Sequence, residues 1–379
     1  MKVLIWETSH LIGGGQQMSL VIANILREKY HVEFLIPKTG PLSNRLNKEN
    51  ISYRCLGNQI LSLGVKKKTD IFKYCWMSIK SIFKFLRSYC INKPDIIYVP
   101  GPAALPWGAI CGMLIRRPVV WHLHHLFEDG GTKKLLNILS NLSSIRTIIG
   151  VSDCVRDQLT SIKIKHKLIT MYNPIDRSKY KNGKAKKIFE EVSLTPGQQI
   201  LIGHVGIIQE AKRQEFVIRV VAEILKRGYS VHALLVGSAR TETMDYEQAL
   251  HKLVKDLDLE EYIHFMGQRQ DVADILAAVD VVIIPSIEGL SLVGLEALAA
   301  GKPIVSSEAG GSRELVEKSK AGIYFSSSND VIKAADAIIK ILRPEIKQEL
   351  YNNSIRFTEQ QSYEKYQKFI LQEFNLALK

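Results

Sequence analysis

The 379-residue chain predicts an α/β fold of two Rossmann-like, doubly wound parallel-sheet domains facing a cleft, and three observations carry that expectation. The length exceeds what one ordinary core sustains, so two domains of similar size are the natural division. Short apolar runs alternate with helix-period segments throughout, which is the rhythm of parallel strands joined by crossover helices. The rhythm breaks once, at the polar, basic stretch "YNPIDRSKYKNGKAKK" (172–187), where Pro174 and Gly183 mark a linker.

In the first half, the apolar run 3–6 is a short strand, Gly13-Gly14-Gly15 a loop, and 16–28 a helix. Further strands are expected at 32–36, 96–99, 119–123, 147–151 and 168–171. The run 103–115, interrupted by Pro106, reads as a buried helix. The second half restarts with strands at 200–205, 231–236, 262–265, 281–284 and 304–306. A last helix, about 362–378, has no strand after it. The expected domains are therefore 1–177 and 178–358, with 359–379 packing back toward the first.

Composition sets bounds on function. With 46% hydrophobic and 23% charged residues the chain is globular rather than disordered. Residues 1–177 hold 25 Lys and Arg against 11 Asp and Glu, whereas the remainder holds 26 against 27. So basic a first half suits an anionic partner: a membrane surface, a nucleic acid or a phosphorylated substrate. The five cysteines form no C-x-x-C pair, which indicates neither a disulfide framework nor a zinc site and fits a reducing cytosol. The opening apolar run is too short for a signal peptide, and no stretch is long enough to span a bilayer.

Several constellations are candidates for chemistry. Gly13-Gly14-Gly15 sits between a strand and a helix, where small residues let backbone N–H groups approach a phosphate; a tight turn is the plain alternative. G-x-G-x-x-G is absent, which disfavours a dinucleotide. In "HVGIIQEAKRQEFVIRVV", a strand ends near Gly206 and, after a loop, a helix is entered near Lys212 and Arg213; Lys212 can carry a phosphate charge, or else be an ordinary solvated residue. "WHLHH" places His122 and His124 on one strand face. A metal there lacks a third ligand, whereas His124 at the strand end suits a substrate hydroxyl. In "IPSIEGLSLVGLEALAAG", Glu288 and Glu296 lie eight apart, the first in the loop after a strand and the second in the helix that opens near Leu292. A pair from one β-loop-α unit does not flank a sugar as hydrolase carboxylates do, so recognition of ligand hydroxyls is the better reading.

The segment 64–93 carries eight Lys and Arg against one Asp, interleaved with aromatic residues. Read as a helix from about Thr69, it aligns Phe72, Trp76, Ile79, Phe83 and Leu86 on one stripe, with Lys73, Lys80, Lys84 and Arg87 on other faces. Such a helix either buries its stripe on the sheet, lies on a membrane surface with Lys73, Trp76, Lys80, Lys84 and Arg87 toward the acceptor side, or stacks on single-stranded nucleic acid.

Together, the E-x7-E pattern in "PSIEGLSLVGLEALAAGKPIVSS", with "DVADILAAVDVVIIPS" before it and "EAGGSREL" after it, resembles the GT-B retaining glycosyltransferases of family 4. "GGGQQMS", "WHLHH", "GVS" and "YNPID" extend the resemblance over nearly the whole chain. It implies a retaining, metal-independent hexosyltransferase with no cofactor. The donor would be a nucleotide-sugar, UDP-linked or else GDP-mannose, and the acceptor a glycan, lipid-linked in surface polysaccharide such as lipopolysaccharide. The basic aromatic helix adds the expectation of a lipid-linked acceptor and of a cytoplasmic, peripheral protein at the inner membrane face, on an anionic surface, with no nucleic-acid partner. By the resemblance, Glu296 holds the ribose hydroxyls and Glu288 contacts the transferred sugar. Backbone at Leu290, Ser291 and Leu292 meets the diphosphate, helped by Gly206, Lys212 and Gly14. His124 lies by the transferring sugar and, with Glu288, would be catalytic. Two residues depart from the pattern: Ile207 stands where an arginine is usual and Ser291 where a glycine is common. The rival readings are a nucleotide-sugar epimerase of the same fold, a nucleic-acid-binding protein using the basic half, and a non-catalytic sugar-nucleotide binding subunit.

Overall fold

The computed structural model describes residues 1–57, 68–89, 93–127, 129–326 and 329–379. Lys66, Lys67 and Cys90, parts of the basic segment and of the cysteine count, lie outside them. The chain forms two compact units, Met1–Asn173 with Glu364–Lys379, and Pro174–Tyr363.

The first unit is built on a seven-stranded parallel sheet: β1 (Lys2–Trp6), β2 (His31–Ile36), β3 (Ser52–Cys55), β4 (Ile96–Val99), β5 (Val119–Leu123), β6 (Ile145–Gly150) and β7 (Leu168–Thr170), in the order β3-β2-β1-β4-β5-β6-β7. The central strands are short, apolar and largely buried, as a sheet covered by helices on both faces requires, whereas the edge strands β3 and β7 are only partly covered. Trp6 stacks on Phe85 with ring centres 4.9 Å apart, joining the sheet to helix Lys68–Tyr89. The C-terminal helix Tyr363–Ala377 docks through Phe374, 5.6 Å from Tyr98, and through Gln367, whose Nε2 donates to Glu28 at 2.7 Å.

The second unit has six parallel strands: β8 (Ile200–Val205), β9 (Val231–Val236), β10 (Ile263–Gly267), β11 (Val281–Ile284), β12 (Ile304–Ser307) and β13 (Gly322–Phe325), ordered β10-β9-β8-β11-β12-β13. Strand order reverses between β8 and β11. Open α/β sheets bind ligands beyond the strand ends at such a reversal.

One expectation needs correction, and two open readings are narrowed. The stretch read as a linker contains two helices, Arg177–Lys181 and Ala185–Glu191; Asp176 caps the first by accepting from Ser178 N at 3.0 Å, and Tyr180 and Ile188 are buried. Lys212 does not open an α-helix. It ends the single 3-10 turn Glu210–Lys212, and Arg213, at φ 59°, separates that turn from helix Gln214–Lys226. In helix Lys68–Tyr89 the stripe Phe72–Trp76–Ile79–Phe83 is exposed, while Ser81 and Phe85 face inward.

Candidate active site

In the second unit, two segments leave the carboxyl ends of β8 and β11 and meet at the reversal. Lys212 Nζ donates to Glu288 Oε1 at 2.5 Å, and Ser286 Oγ donates to the same oxygen at 2.6 Å. Gly206 lies beneath the Lys212 stem: a Cβ there would sit 3.5 Å from the lysine Cδ. The Glu288 carbonyl accepts from Gly311 N at 2.7 Å, which seats the start of helix Gly310–Ser319 against the same loop. Helix Leu292–Ala299 opens beside it, as expected, and Leu290 is buried. The Ser291 hydroxyl turns back to accept from Gly294 N at 3.1 Å, so it caps the helix. Two helix starts, with their positive dipole ends, thus converge on the loop that holds Glu288.

Glu296 lies one turn into helix Leu292–Ala299 and accepts from the Tyr180 hydroxyl at 2.8 Å. Burial raises its carboxyl pKa, against the opposing effects of the Tyr180 hydrogen bond and the Lys179 charge. Burial and the adjacent Glu296 together push the Tyr180 phenol up. Tyr180 went unnoticed in the sequence because it lies in the polar stretch. Its one signal is a large aromatic among basic residues. Also unforeseen is His204, buried in β8. Its Nδ1 lies 3.1 Å from Ile283 O, and burial lowers its pKa to about 4. Arg213 points elsewhere: its guanidinium lies over Phe216 and donates to Asn329 at 2.8 Å.

In the first unit, Gly14 opens helix Gly14–Leu26 directly after the β1 loop. None of Gly13, Gly14 and Gly15 has a positive φ, and a Cβ at Gly15 would meet nothing within 4 Å. Open space over the helix start is thus at Gly15, whereas a Cβ at Gly13 would lie 3.3 Å from Gln16 Oε1. Gln16 ties that start down: its Oε1 accepts from Gly13 N at 3.1 Å and its Nε2 donates to Glu7 at 3.2 Å. Glu7 is buried at the end of β1 and also accepts from Ser19 Oγ at 2.5 Å.

His122 is buried in β5, its Nδ1 2.6 Å from the Tyr98 hydroxyl, and its ring centre is 4.1 Å from that of His124. Burial lowers the His122 pKa to about 3. Burial, then the neighbouring His122 and His125, hold His124 well below the ordinary range. His124 is therefore a neutral imidazole at physiological pH, and its buried Nε2 has no hydrogen-bond partner among the described residues. The H-x-H pair gains no companions for a metal: among the described residues no group of three His, Cys, Asp or Glu side chains could hold one.

The helix candidates Lys73, Trp76, Lys80, Lys84 and Arg87 also belong to the first unit, and all are exposed. Lys84 is committed locally, because its Nζ donates to Leu56 O at 2.7 Å and to Gly57 O at 3.3 Å. Lys80 Nζ lies over the Trp76 ring, 4.9 Å from its centre.

Two doubly wound parallel-sheet units, one with two helix starts at its strand-order reversal and the other with a glycine-opened helix, have the architecture of a GT-B protein. The models for "Glycosyltransferase Family 4" and "Glycosyl transferases group 1" match residues 12–179 and 199–344, and the chain belongs to this family of sugar transferases. It is 28% identical to the N-acetyl-alpha-D-glucosaminyl L-malate synthase of Bacillus anthracis, over 97% of this chain and 93% of that one. It is 24% identical to the UDP-Gal:alpha-D-GlcNAc-diphosphoundecaprenol alpha-1,3-galactosyltransferase of Escherichia coli, over 90% and 88%. The crystal structure of Anabaena Alr3699/HepE in complex with UDP superposes with a TM-score of 0.80 at 23% identity, over 99% of this chain and 100% of that one, which establishes the fold.

Proposed function

We propose that this glycosyltransferase moves a sugar from a nucleotide-sugar to a hydroxyl of a lipid-linked glycan, with retention of configuration and without a metal. The work would be done at the inner face of the cytoplasmic membrane during surface-polysaccharide assembly. A UDP-sugar is the favoured donor and GDP-mannose the alternative. UDP in the Anabaena structure and the UDP-Gal and diphosphoundecaprenol in the name of the Escherichia coli relative support the donor and acceptor classes.

The observation that carries the reading is the Lys212–Glu288 pair beside two helix starts. Cleaving the bond between the anomeric carbon and the diphosphate leaves negative charge on the nucleotide. Lys212 and the N–H groups at Leu290, Ser291 and Leu292 stabilise that charge without a metal. Glu288 orients the transferred sugar and Glu296 the ribose hydroxyls. Neutral His124 offers a hydrogen bond near the acceptor rather than a charge. The acceptor oxygen attacks the face the diphosphate leaves, and its proton passes to the departing phosphate oxygen.

The test is thermal stability against UDP-, GDP-, ADP- and CMP-sugars, repeated with Glu296→Ala, and followed by product analysis with a lipid-linked acceptor. One nucleotide class should raise the melting temperature of the wild type, and the variant should lose the shift. A donor at about a hundred times its dissociation constant adds roughly 2.7 kcal/mol. No shift with any donor overturns the reading. An altered sugar from donor alone points to the epimerase, and an inverted product removes the retaining mechanism.

A further inference from the structure

A line of buried rings runs from the C-terminal helix to the histidines that end β5. Tyr98 of β4 pairs in register with Val120 of β5, so the two share a face of the first sheet. His122, two residues on, lies on that face by strand alternation, and His124 continues it. Helix Tyr363–Ala377 reaches the same face through Phe374, whose ring centre is 5.6 Å from that of Tyr98; Phe374, Tyr98 and His122 are fully buried. The Tyr98 hydroxyl lies 2.6 Å from His122 Nδ1, and the His122 ring lies 4.1 Å from that of His124 at a tilt of 38°. Burial, then the neighbouring Tyr366 and Glu7, hold the Tyr98 phenol well above the ordinary range, so it meets His122 as a neutral hydroxyl.

We infer that Tyr98 and His122 are positioning residues for His124: the Tyr98 hydroxyl fixes the His122 ring, and His122 fixes the angle at which His124 presents its imidazole to the acceptor. The ring torsion of a histidine is broad and roughly two-fold, so packing alone leaves His122 two orientations. The bond to Tyr98 selects one, because a flipped ring would set a carbon against the hydroxyl and leave buried polar atoms unmet. His124 has no such tie at its buried Nε2, which finds no partner among the described residues, so at that atom packing on His122 replaces a hydrogen bond. With Phe374 against Tyr98, the returning C-terminal helix acts on His124 through two side chains. The orientation has consequences, since a misplacement of about 1 Å in a reacting geometry costs up to about a hundredfold in rate. The inference rests on the reading that places His124 beside the transferred sugar; the coupling of the three side chains is its own content.

Two measurements test it. The first is ring-nitrogen NMR of the full chain, isotope-labelled at histidine and free of substrate. Tyr98→Phe keeps the ring against Phe374 and removes only the hydroxyl, and it should move the nitrogen signals of both His122 and His124. If Tyr98→Phe does not fold, Phe374→Leu disturbs Tyr98 from its other side and should move the same signals. The second is kinetic. Tyr98→Phe should lower kcat about tenfold, while donor affinity by titration stays within about twofold. In a His124→Ala background the same change should lower kcat no further, because residues that act through one another are not additive. His124 signals that stay in place overturn the inference whatever the enzyme turns over. So does a Tyr98→Phe loss that adds in full to that of His124→Ala, which would make Tyr98 a packing residue. Moved signals in a chain that transfers sugar from no donor uphold the coupling and sink the transferase reading, so the two fail separately.

Discussion

Lys212 Nζ and Glu288 Oε1 are 2.5 Å apart at the strand-order reversal of the second unit, so the two side chains assigned to opposite jobs in donor binding satisfy each other in the free chain. An arriving diphosphate would compete for the ammonium and release the carboxylate toward the sugar. The contact is partly solvated, and such pairs contribute only about 0–1 kcal/mol to stability. Lys212→Ala should therefore leave the melting temperature nearly unchanged while lowering kcat/KM about a hundredfold to a thousandfold, as loss of a charge-stabilising donor does. Steady-state kinetics beside thermal unfolding separates the two effects. A large drop in stability with ordinary kcat/KM would make the pair structural.

With Glu296 on the ribose hydroxyls, as proposed, Tyr180 would act on donor binding through it. Its hydroxyl donates to the carboxylate and lowers a pKa that burial raises. With Tyr180→Phe the carboxyl pKa should climb further, because the ionised form loses a partner. Donor affinity should weaken on the order of tenfold, within the range for a hydrogen bond to a charged group. The acid limb of its pH profile should also move to higher pH. Isothermal titration of donor at several pH values reads both. A weakened affinity with an unmoved limb would mean that Tyr180 serves packing alone.

What the sequence disclosed followed the strength of its local signals. The strand Val281–Ile284 and the helix start at Leu292 were legible because an apolar run, Pro285 and a capping serine mark both ends. The helix Lys68–Tyr89 was legible as amphipathic, but periodicity cannot say which stripe the fold covers. The inward side combines Phe85 with small, polar serines. Ser78 and Ser81 return their hydroxyls to Tyr74 O and Met77 O, each at 2.7 Å, and Trp107 Nε1 donates to Ser78 at 2.7 Å. Serines satisfied in this way can be buried, and they let the neighbouring helix come close. The helix start near Arg213 was legible, but the 3-10 turn that carries Lys212 before it was not, because it ends on one left-handed residue, Arg213, which no pattern of apolar spacing announces. Tyr180 was hidden because its partner lies more than a hundred residues away.

Buried histidines give the stability of both units a common acid dependence. His122 in the first unit and His204 in the second have pKa values lowered to about 3 and about 4. The unfolded chain takes up protons at these positions near pH 6.5, so below that pH it binds more protons than the native state and stability falls. Each fully buried histidine costs about 1.4 kcal/mol per pH unit over that window. Glu7 and Glu296, with raised pKa values, act in the opposite sense as pH falls through them. Urea midpoints between pH 7.5 and 5 should fall, and His204→Gln should flatten the slope for the second unit. An identical slope in the variant would show that His204 is protonated in the native state.

Gly311 is where the second helix start is held against the Glu288 loop, and there is no room for a side chain. A Cβ on it would lie 1.9 Å from Gly289 O, a backbone atom that cannot turn aside as a side chain can. Gly311 N also donates to the Glu288 carbonyl at 2.7 Å, so relieving the clash must stretch the contact that fixes the loop. Gly311→Ala should destabilise the second unit by about 1–3 kcal/mol, in the range for overpacking. It should also weaken donor binding more than Gly15→Ala, whose Cβ would enter open space. Donor titration of both variants, with urea unfolding as the companion measurement, decides the matter. Equal stability and affinity in the two would mean that the loop shifts freely and that the close seating of helix Gly310–Ser319 does not position Glu288.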